Sequence, residues 1–301
     1  MLGIGDDAAL LSLPEGQQLV VTTDTLIENV HFPEEIPPEF IGYKALAVNL
    51  SDLAAMGAQP RWVTLALSLP EADEMWLEGF SRGFLGLADE YGVSLVGGDT
   101  TRGPLSITVQ AMGLVPEGQA LLRSGALPGD LIYVSGSIGD AGLALSALKA
   151  EAQLSAEAYQ SLVMRLHKPT PRMALGIALR GLATSCIDVS DGLLADLNHV
   201  LEASAVGADI VLQQIPLSPL VRQWAEHHAD FAVPATWGDD FELVFTVPAA
   251  SQQILEQVAS RLDVPLSMIG KISAETGLRL FTPAGEAVTV AQTGYDHFGR
   301  M

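Results

Sequence analysis

Aspartates recur along this chain beside glycine, serine or threonine. They stand as Asp6 and Asp7 in Gly3-Ile4-Gly5-Asp6-Asp7, Asp24 in Thr22-Thr23-Asp24-Thr25, and Asp52 in Asn49-Leu50-Ser51-Asp52. Asp99 follows in Gly97-Gly98-Asp99-Thr100-Thr101-Arg102-Gly103, Asp188 and Asp191 flank Ser190, and Asp239-Asp240 follow Trp237-Gly238. Several lie in apolar or glycine-rich stretches, where an uncompensated charge is costly. Carboxylate and hydroxyl oxygens are hard ligands suited to Mg²⁺, Mn²⁺ or Ca²⁺. With one cysteine and six histidines, a zinc or soft-metal site is not expected. No Asp-x-Asp-x-Asp-Gly loop speaks for an EF-hand. Magnesium held by carboxylates, with glycine turns and arginines nearby, is the constellation of phosphoryl transfer, which needs no covalent nucleophile. Nothing pairs Ser or Cys with His as a nucleophile would require. Each acid also has an ordinary reading: a turn or helix cap for Asp24 and for one of Asp188 and Asp191, a solvent-facing position for Asp52, a surface turn for Asp6-Asp7.

The elements that must position these groups follow from periodicity. Residues 19–23 form a β-branched apolar run expected to end as a strand in Thr-Thr-Asp-Thr, at the edge where open α/β sheets bind ligands. Residues 39–57 read as a helix, apolar on most of its circumference and stopped at Gly57, with Asn49 and Asp52 on one face. Strands are expected at 61–69, 93–96 and 105–115, with a helix at 72–91 between the first two. Turn formers at 123–130 mark a domain boundary. Beyond it come a strand at 131–136, a glycine-rich turn at 136–142, helices at 143–150 and 157–166, and a helix capped by Thr170 with Pro171 at its first position. A strand at 185–188 feeds a helix at 191–205, followed by strands at 208–212, 243–245, 266–272 and 278–281 and helices at 217–228 and 250–262. The turn at 136–142 resembles a phosphate cradle, yet no Gly-x-x-x-x-Gly-Lys-Ser/Thr occurs, so a P-loop is excluded.

A chain of 301 residues, 49% hydrophobic, can bury a full core and suggests two domains. The formal net charge of -21 repels nucleic acid and anionic lipid, so neither is expected as a partner. A phosphorylated substrate would enter only where divalent cations invert the local sign. No apolar run reaches 18 residues and no signal peptide opens the chain, so a cytoplasmic location is expected. Cys186 reads as a small buried hydrophobe.

Taken together, Gly3-Ile4-Gly5-Asp6-Asp7, Thr23-Asp24-Thr25, Asn49-Leu50-Ser51-Asp52-Leu53-Ala54-Ala55-Met56-Gly57, Gly97-Gly98-Asp99-Thr100-Thr101-Arg102-Gly103, Asp188-Val189-Ser190-Asp191-Gly192 and Gly294-Tyr295-Asp296-His297-Phe298 span nearly the whole chain. In this order they resemble the thiamine-monophosphate kinase family, of the aminoimidazole-ribonucleotide-synthetase-like ATP-binding superfamily. The resemblance implies an α/β (α+β) two-domain fold: an N-terminal ATP- and Mg²⁺-binding, mixed-sheet domain over 1–127 that pairs in a homodimer, and a C-terminal α/β domain over 128–301. It implies transfer of the ATP γ-phosphate to thiamine monophosphate, by direct in-line attack assisted by several Mg²⁺ ions. By motif, Asp7, Thr22, Thr23, Asp24, Asp52, Asp99, Asp188 and Asp191 would hold magnesium. Gly98, Asp99, Arg123 and Ser190 would contact ATP, and His31, Asp239 and Tyr295 would contact thiamine monophosphate. Lys44 and Arg102 are expected to compensate charge.

Two features depart from the family pattern. The chain begins almost on Gly-Ile-Gly-Asp-Asp, where family members carry about twenty residues, within ordinary terminal variation. It also has Trp237-Gly238-Asp239-Asp240 where the family has Gly-Gly-Glu-Asp. Another ATP-using synthetase of the superfamily, such as selenophosphate synthetase or the hydrogenase-maturation protein, would need a reactive N-terminal Cys or selenocysteine with Lys, or a C-terminal Cys. A non-catalytic nucleotide or metal sensor would have little use for so many acids.

Overall fold

Two sheets carry the chain in the computed structural model, which describes residues 3–5, 7–33 and 35–295. Asp6 and the Asp296-His297-Phe298 part of the terminal motif lie outside the described residues. The first sheet consists of β1 (Gln17–Ile27), β2 (Gln59–Leu69), β3 (Ser94–Arg102) and β4 (Ser106–Pro116), in the order β1-β4-β2-β3. β4 is antiparallel to both β1 and β2, and β2 runs parallel to β3. Two helices belong to this half, α1 (Pro38–Ala55) and α2 (Glu74–Tyr91). Asp73 caps α2 by accepting from the Met75 and Trp76 amides at 2.9 and 3.2 Å, so the helix starts two residues later than periodicity alone suggests.

The second sheet has the order β11-β10-β7-β9-β5-β8-β6. Its strands are β5 (Leu131–Ser135), β6 (Ser185–Asp188), β7 (Gly207–Val211), β8 (Leu243–Val247), β9 (Leu266–Ser273), β10 (Gly277–Phe281) and β11 (Ala287–Val288). The helices are α3 (Asp140–Leu148), α4 (Ala156–His167), α5 (Met173–Ala178), α6 (Leu193–Ser204), α7 (Pro219–His228) and α8 (Gln252–Leu262). No helix of the described residues is long and apolar enough to cross a membrane.

Strand alternation fixes what each face of the first sheet does. Along β1, Val20, Thr22, Asp24 and Leu26 turn inward, while Leu19, Val21, Thr23, Thr25 and Ile27 are exposed. Leu26 is packed with Ile107 of β4 and Leu67 of β2 in one core. That core also takes in Leu46, Leu50 and Leu53 of α1 and continues into Met173, Leu175, Cys186 and Phe245 of the second half. α1 is therefore buried all round, as its uniform apolarity requires. It joins the two halves, each large side chain it buries contributing ~1.5–3 kcal/mol. A separate core lies almost entirely in the second half, around Ile132, Leu143, Leu193, Leu197 and Val221.

Three elements differ from expectation. β1 does not stop at Thr-Thr-Asp-Thr but runs on to Ile27, because β4 pairs with it residue for residue to Ser106. β3 continues through Gly97–Arg102 instead of opening into a loop, since β2 pairs with it as far as Leu69 opposite Arg102. α5 starts at Met173 with Arg172 at its cap, so Pro171 precedes the helix.

Candidate active site

Three inward-facing acids meet where α1 crosses the first sheet and reaches the second. The Thr22 hydroxyl donates to Oδ2 of Asp52. Asp24, two residues along the same face of β1, lies within hydrogen-bond reach of Asp52. Asp188, at the end of β6, is buried, and it feels the charges of both Asp52 and Asp24. Burial first, and then the Asp52 charge, pushes the Asp24 carboxyl up to about 7. Burial also raises Asp52, opposed by the Thr22 hydroxyl and the Arg123 charge, and it raises Asp188 well above the ordinary range, reinforced by Asp52. Asp24 beside Asp52, with Asp188 near enough to feel both charges, are reluctant to ionise together, and a cation would relieve them.

The donor set fits magnesium. Among the described residues no three carboxylates, imidazoles or thiolates draw close enough to hold an ion unaided. The carboxylates of Asp24, Asp52 and Asp188 and the Thr22 hydroxyl are the hard oxygen donors such an ion takes.

Next to these acids, the turn after β6 is tied down by Asp196 in the first turn of α6. Its Oδ2 accepts from the amides of Ser190, Asp191 and Gly192 at 2.9, 3.0 and 3.2 Å. The Ser190 carbonyl accepts from the Asp239 amide, and the Asp191 carbonyl from the Tyr295 amide. Two segments distant in sequence are thus stitched to the same turn. Gly238 is obligatory there, because a Cβ would lie 2.4 Å from the Ser190 carbonyl oxygen.

The remaining expected residues are placed as follows. His31 accepts from the Ile27 amide through Nδ1 at 3.0 Å, in the turn that ends β1. Gly98 adopts φ +152°, where a Cβ would lie 1.9 Å from the Leu65 carbonyl oxygen, so only glycine lets β3 approach β2 there. Asp99 stands in register with Ala66, Thr108 and Thr25, on the face opposite Asp24. Thr23 points to that outer face as well, accepting from Gln110. The structure thus separates Thr23 and Asp99 from the cluster of Thr22, Asp24, Asp52 and Asp188. Asp7 and Arg123 are exposed, and the Arg123 charge is felt by Asp52. Arg102 donates to the Pro70 carbonyl, whereas Lys44 is buried and pairs with Asp239 at 2.9 Å.

The sequence and the fold are similar to those of known proteins. The model of the AIR synthase related N-terminal domain matches residues 5–115, and that of the C-terminal domain matches residues 128–282. A thiamine-monophosphate kinase of Escherichia coli K12 is 48% identical over 99% of this chain and 92% of its own. The chain belongs to the thiamine-monophosphate kinase family. A crystal structure of thiamine-monophosphate kinase from Stenotrophomonas maltophilia K279a superposes with a TM-score of 0.89 at 49% identity, covering 96% of this chain and 92% of that one. AaThiL, solved in complex with AMPPCP and TMP, superposes with a TM-score of 0.82 at 30% identity over 98% of this chain and 92% of its own.

Sequence reading missed two groups. Asp196 could have been found as an acid in the first turn of a helix that follows glycine. Glu242, alone in the apolar run Phe241-Glu242-Leu243, is 1% exposed. It accepts from Arg165 at 2.8 Å, from Arg172 at 2.5 and 2.6 Å, and from Ser135 at 2.6 Å. In the glycine-rich turn at 136–142 the Gly139 amide donates to Asp240 at 2.8 Å.

Proposed function

We propose that the protein transfers the γ-phosphoryl group of ATP onto the phosphate of thiamine monophosphate, giving thiamine diphosphate and ADP. The observation that carries this reading is the convergence of Asp24, Asp52 and Asp188 in a chain that superposes along almost its whole length on a relative solved with AMPPCP and TMP. In this reading Asp24, Asp52 and Asp188, with Thr22, hold magnesium, and Asp7 and Asp191 contribute from the rim; Thr23 and Asp99, on the opposite face of the sheet, fall outside this set. Bound there, the ions would neutralise the phosphates and the charge that develops in the transition state.

The protein's own part is positioning and charge. Ser190 and Arg123, with Gly98 and Asp99 on β3, face ATP; the Asp196 cap takes the amides of the Ser190 turn and holds it rigid, so the Ser190 hydroxyl meets the nucleotide without reorganising. His31, Asp239 and Tyr295 receive the acceptor. No side chain forms a covalent intermediate: the acceptor phosphate is the nucleophile, ADP leaves in line, and both bond changes occur at the γ-phosphorus.

The active form in this reading is a homodimer in the cytoplasm. Supporting the dimer, β1 is an edge strand of 11 residues whose outer face exposes Leu19, Val21 and Ile27, a surface that soluble monomers avoid. We place the domain boundary at 127/128, between the spans matched by the two family models.

The test is an ADP-release assay coupled to chromatography of the product, with thiamine monophosphate, thiamine and an aminoimidazole precursor offered in turn. Magnesium-dependent formation of thiamine diphosphate from thiamine monophosphate alone is expected. Turnover of the aminoimidazole precursor, or of none of the three, overturns the reading.

A further inference from the structure

Lys44 sits in the middle of α1 with 4% of its surface exposed. A lysine is almost never so buried unless paired, and its ammonium lies 2.9 Å from Oδ1 of Asp239. Lys44 belongs to the first half of the chain and Asp239 to the second. Asp239 is about one-third exposed and adopts φ +70°, a left-handed conformation uncommon outside glycine but accessible to Asp. Its backbone is fixed from the C-terminal side, because its amide donates to Ser190 and the Phe241 amide donates to Val189, each at 2.8 Å. Its carboxylate is fixed from the N-terminal side by Lys44. No described residue donates to its Oδ2.

The surroundings leave this pairing without a competitor. His167 stacks on Phe40 of α1 with ring centroids 5.6 Å apart; burial, and then the Lys44 charge, lower its pKa to about 4, so it is neutral at pH 7. Lys168 is drawn away over the rings of Tyr43 and Phe40. Trp237, which with Asp239 departs from the family pattern, packs edge-on to Trp224 at 4.9 Å and against Gly142.

We propose that Lys44 is a positioning and specificity-determining residue: by holding one carboxylate oxygen of Asp239 from the opposite half of the chain, it presents the other oxygen to the cationic, N–H-bearing ring system of the acceptor. This rests on the proposed function and deepens it, since it assigns acceptor reading to a contact made between the two halves of the chain. The reader of the thiazolium or aminopyrimidine end is a carboxylate, and the shorter Asp suffices because the buried ammonium orients it.

Steady-state kinetics of the full chain with magnesium test the proposal, using Lys44→Met, Lys44→Arg, Asp239→Asn and the double variant Lys44→Met/Asp239→Asn. Lys44→Met is expected to raise KM for thiamine monophosphate about tenfold or more, as loss of one partner of a buried charge pair does, with KM for ATP unmoved. The double variant should be no worse than Asp239→Asn alone, because Lys44 acts only through Asp239. Lys44→Arg, which keeps the charge, should fall between wild type and Lys44→Met; should Lys44→Met fail to fold, Lys44→Arg carries the same comparison of the two KM values. An unmoved KM for thiamine monophosphate, a raised KM for ATP, or two substitutions whose effects multiply would each overturn the proposal. Wild-type protein that makes no thiamine diphosphate overturns the proposed function itself, and this assignment with it. Wild-type turnover with an unaffected Lys44→Met removes the assignment alone.

Discussion

The carboxyls of Asp24 and Asp52 lie within hydrogen-bond reach of each other, one from a strand and one from the central helix, with the Thr22 hydroxyl donating to the same Asp52. Such proximity costs stability in the free protein and is relieved by a cation.

Asp52→Asn should therefore separate activity from folding. Removing one of two crowded acids is expected to lower turnover by about two orders of magnitude or more, on the scale seen when preorganised charge stabilisation is lost. The melting temperature of the metal-free protein should hold or rise. Kinetics and calorimetry on the same preparation check both; near-wild-type turnover at saturating magnesium would remove Asp52 from the site.

Glu242→Gln has the opposite signature. It leaves Arg165 and Arg172 facing a neutral amide in a nearly dry interior, and one-sided loss of a buried pair costs ~3–5 kcal/mol. Urea denaturation should show a lowered midpoint with an unchanged slope.

For Gly98→Ala the obstacle is backbone, not charge. The new Cβ would meet the Leu65 carbonyl at 1.9 Å, so β3 must part from β2. A loss of ~1–3 kcal/mol is expected from forcing a side chain into such a conformation and contact. A thermal melt with no downward shift would refute that close approach.

His167 predicts a pH dependence. Its imidazole would bind a proton near 6.5 in the unfolded chain but only near 4 in the fold, because burial and then the Lys44 charge oppose it. Between those values the unfolded chain carries the extra proton, so this group's contribution to stability falls as pH falls from about 6.5 toward 4. The raised acids Asp24, Asp188 and Asp240 act in the opposite sense, holding protons in the fold. The measurement is accordingly a difference: the midpoint of His167→Leu should drop less than that of wild type over this range, and parallel curves would refute it.

Val21→Glu addresses the outer face of β1, where Val21 is 48% exposed. If this face joins two copies, light scattering should give a dimer for wild type and a monomer for the variant. A wild-type monomer at assay concentration would dispose of the dimer.

The sequence by itself determined most of the elements and the kind of chemistry. α1 was legible because helix-period apolarity on every side has no other use than burial, and Asp52 because a carboxylate in such a helix must find a partner. The aspartates announced hard-metal chemistry through residue type alone. What only the tertiary structure decided was which acids meet. Alternation sends Thr22 and Asp24 inward but Thr23 outward, and strand register puts Asp99 on the other face, because pairing with β2 and β4 extends strands past the residues where local composition suggests they end. The Lys44–Asp239 pair and the Glu242 cluster were equally out of reach, since their partners are supplied by distant segments. Composition fixes what a side chain can do; only packing fixes what stands opposite it.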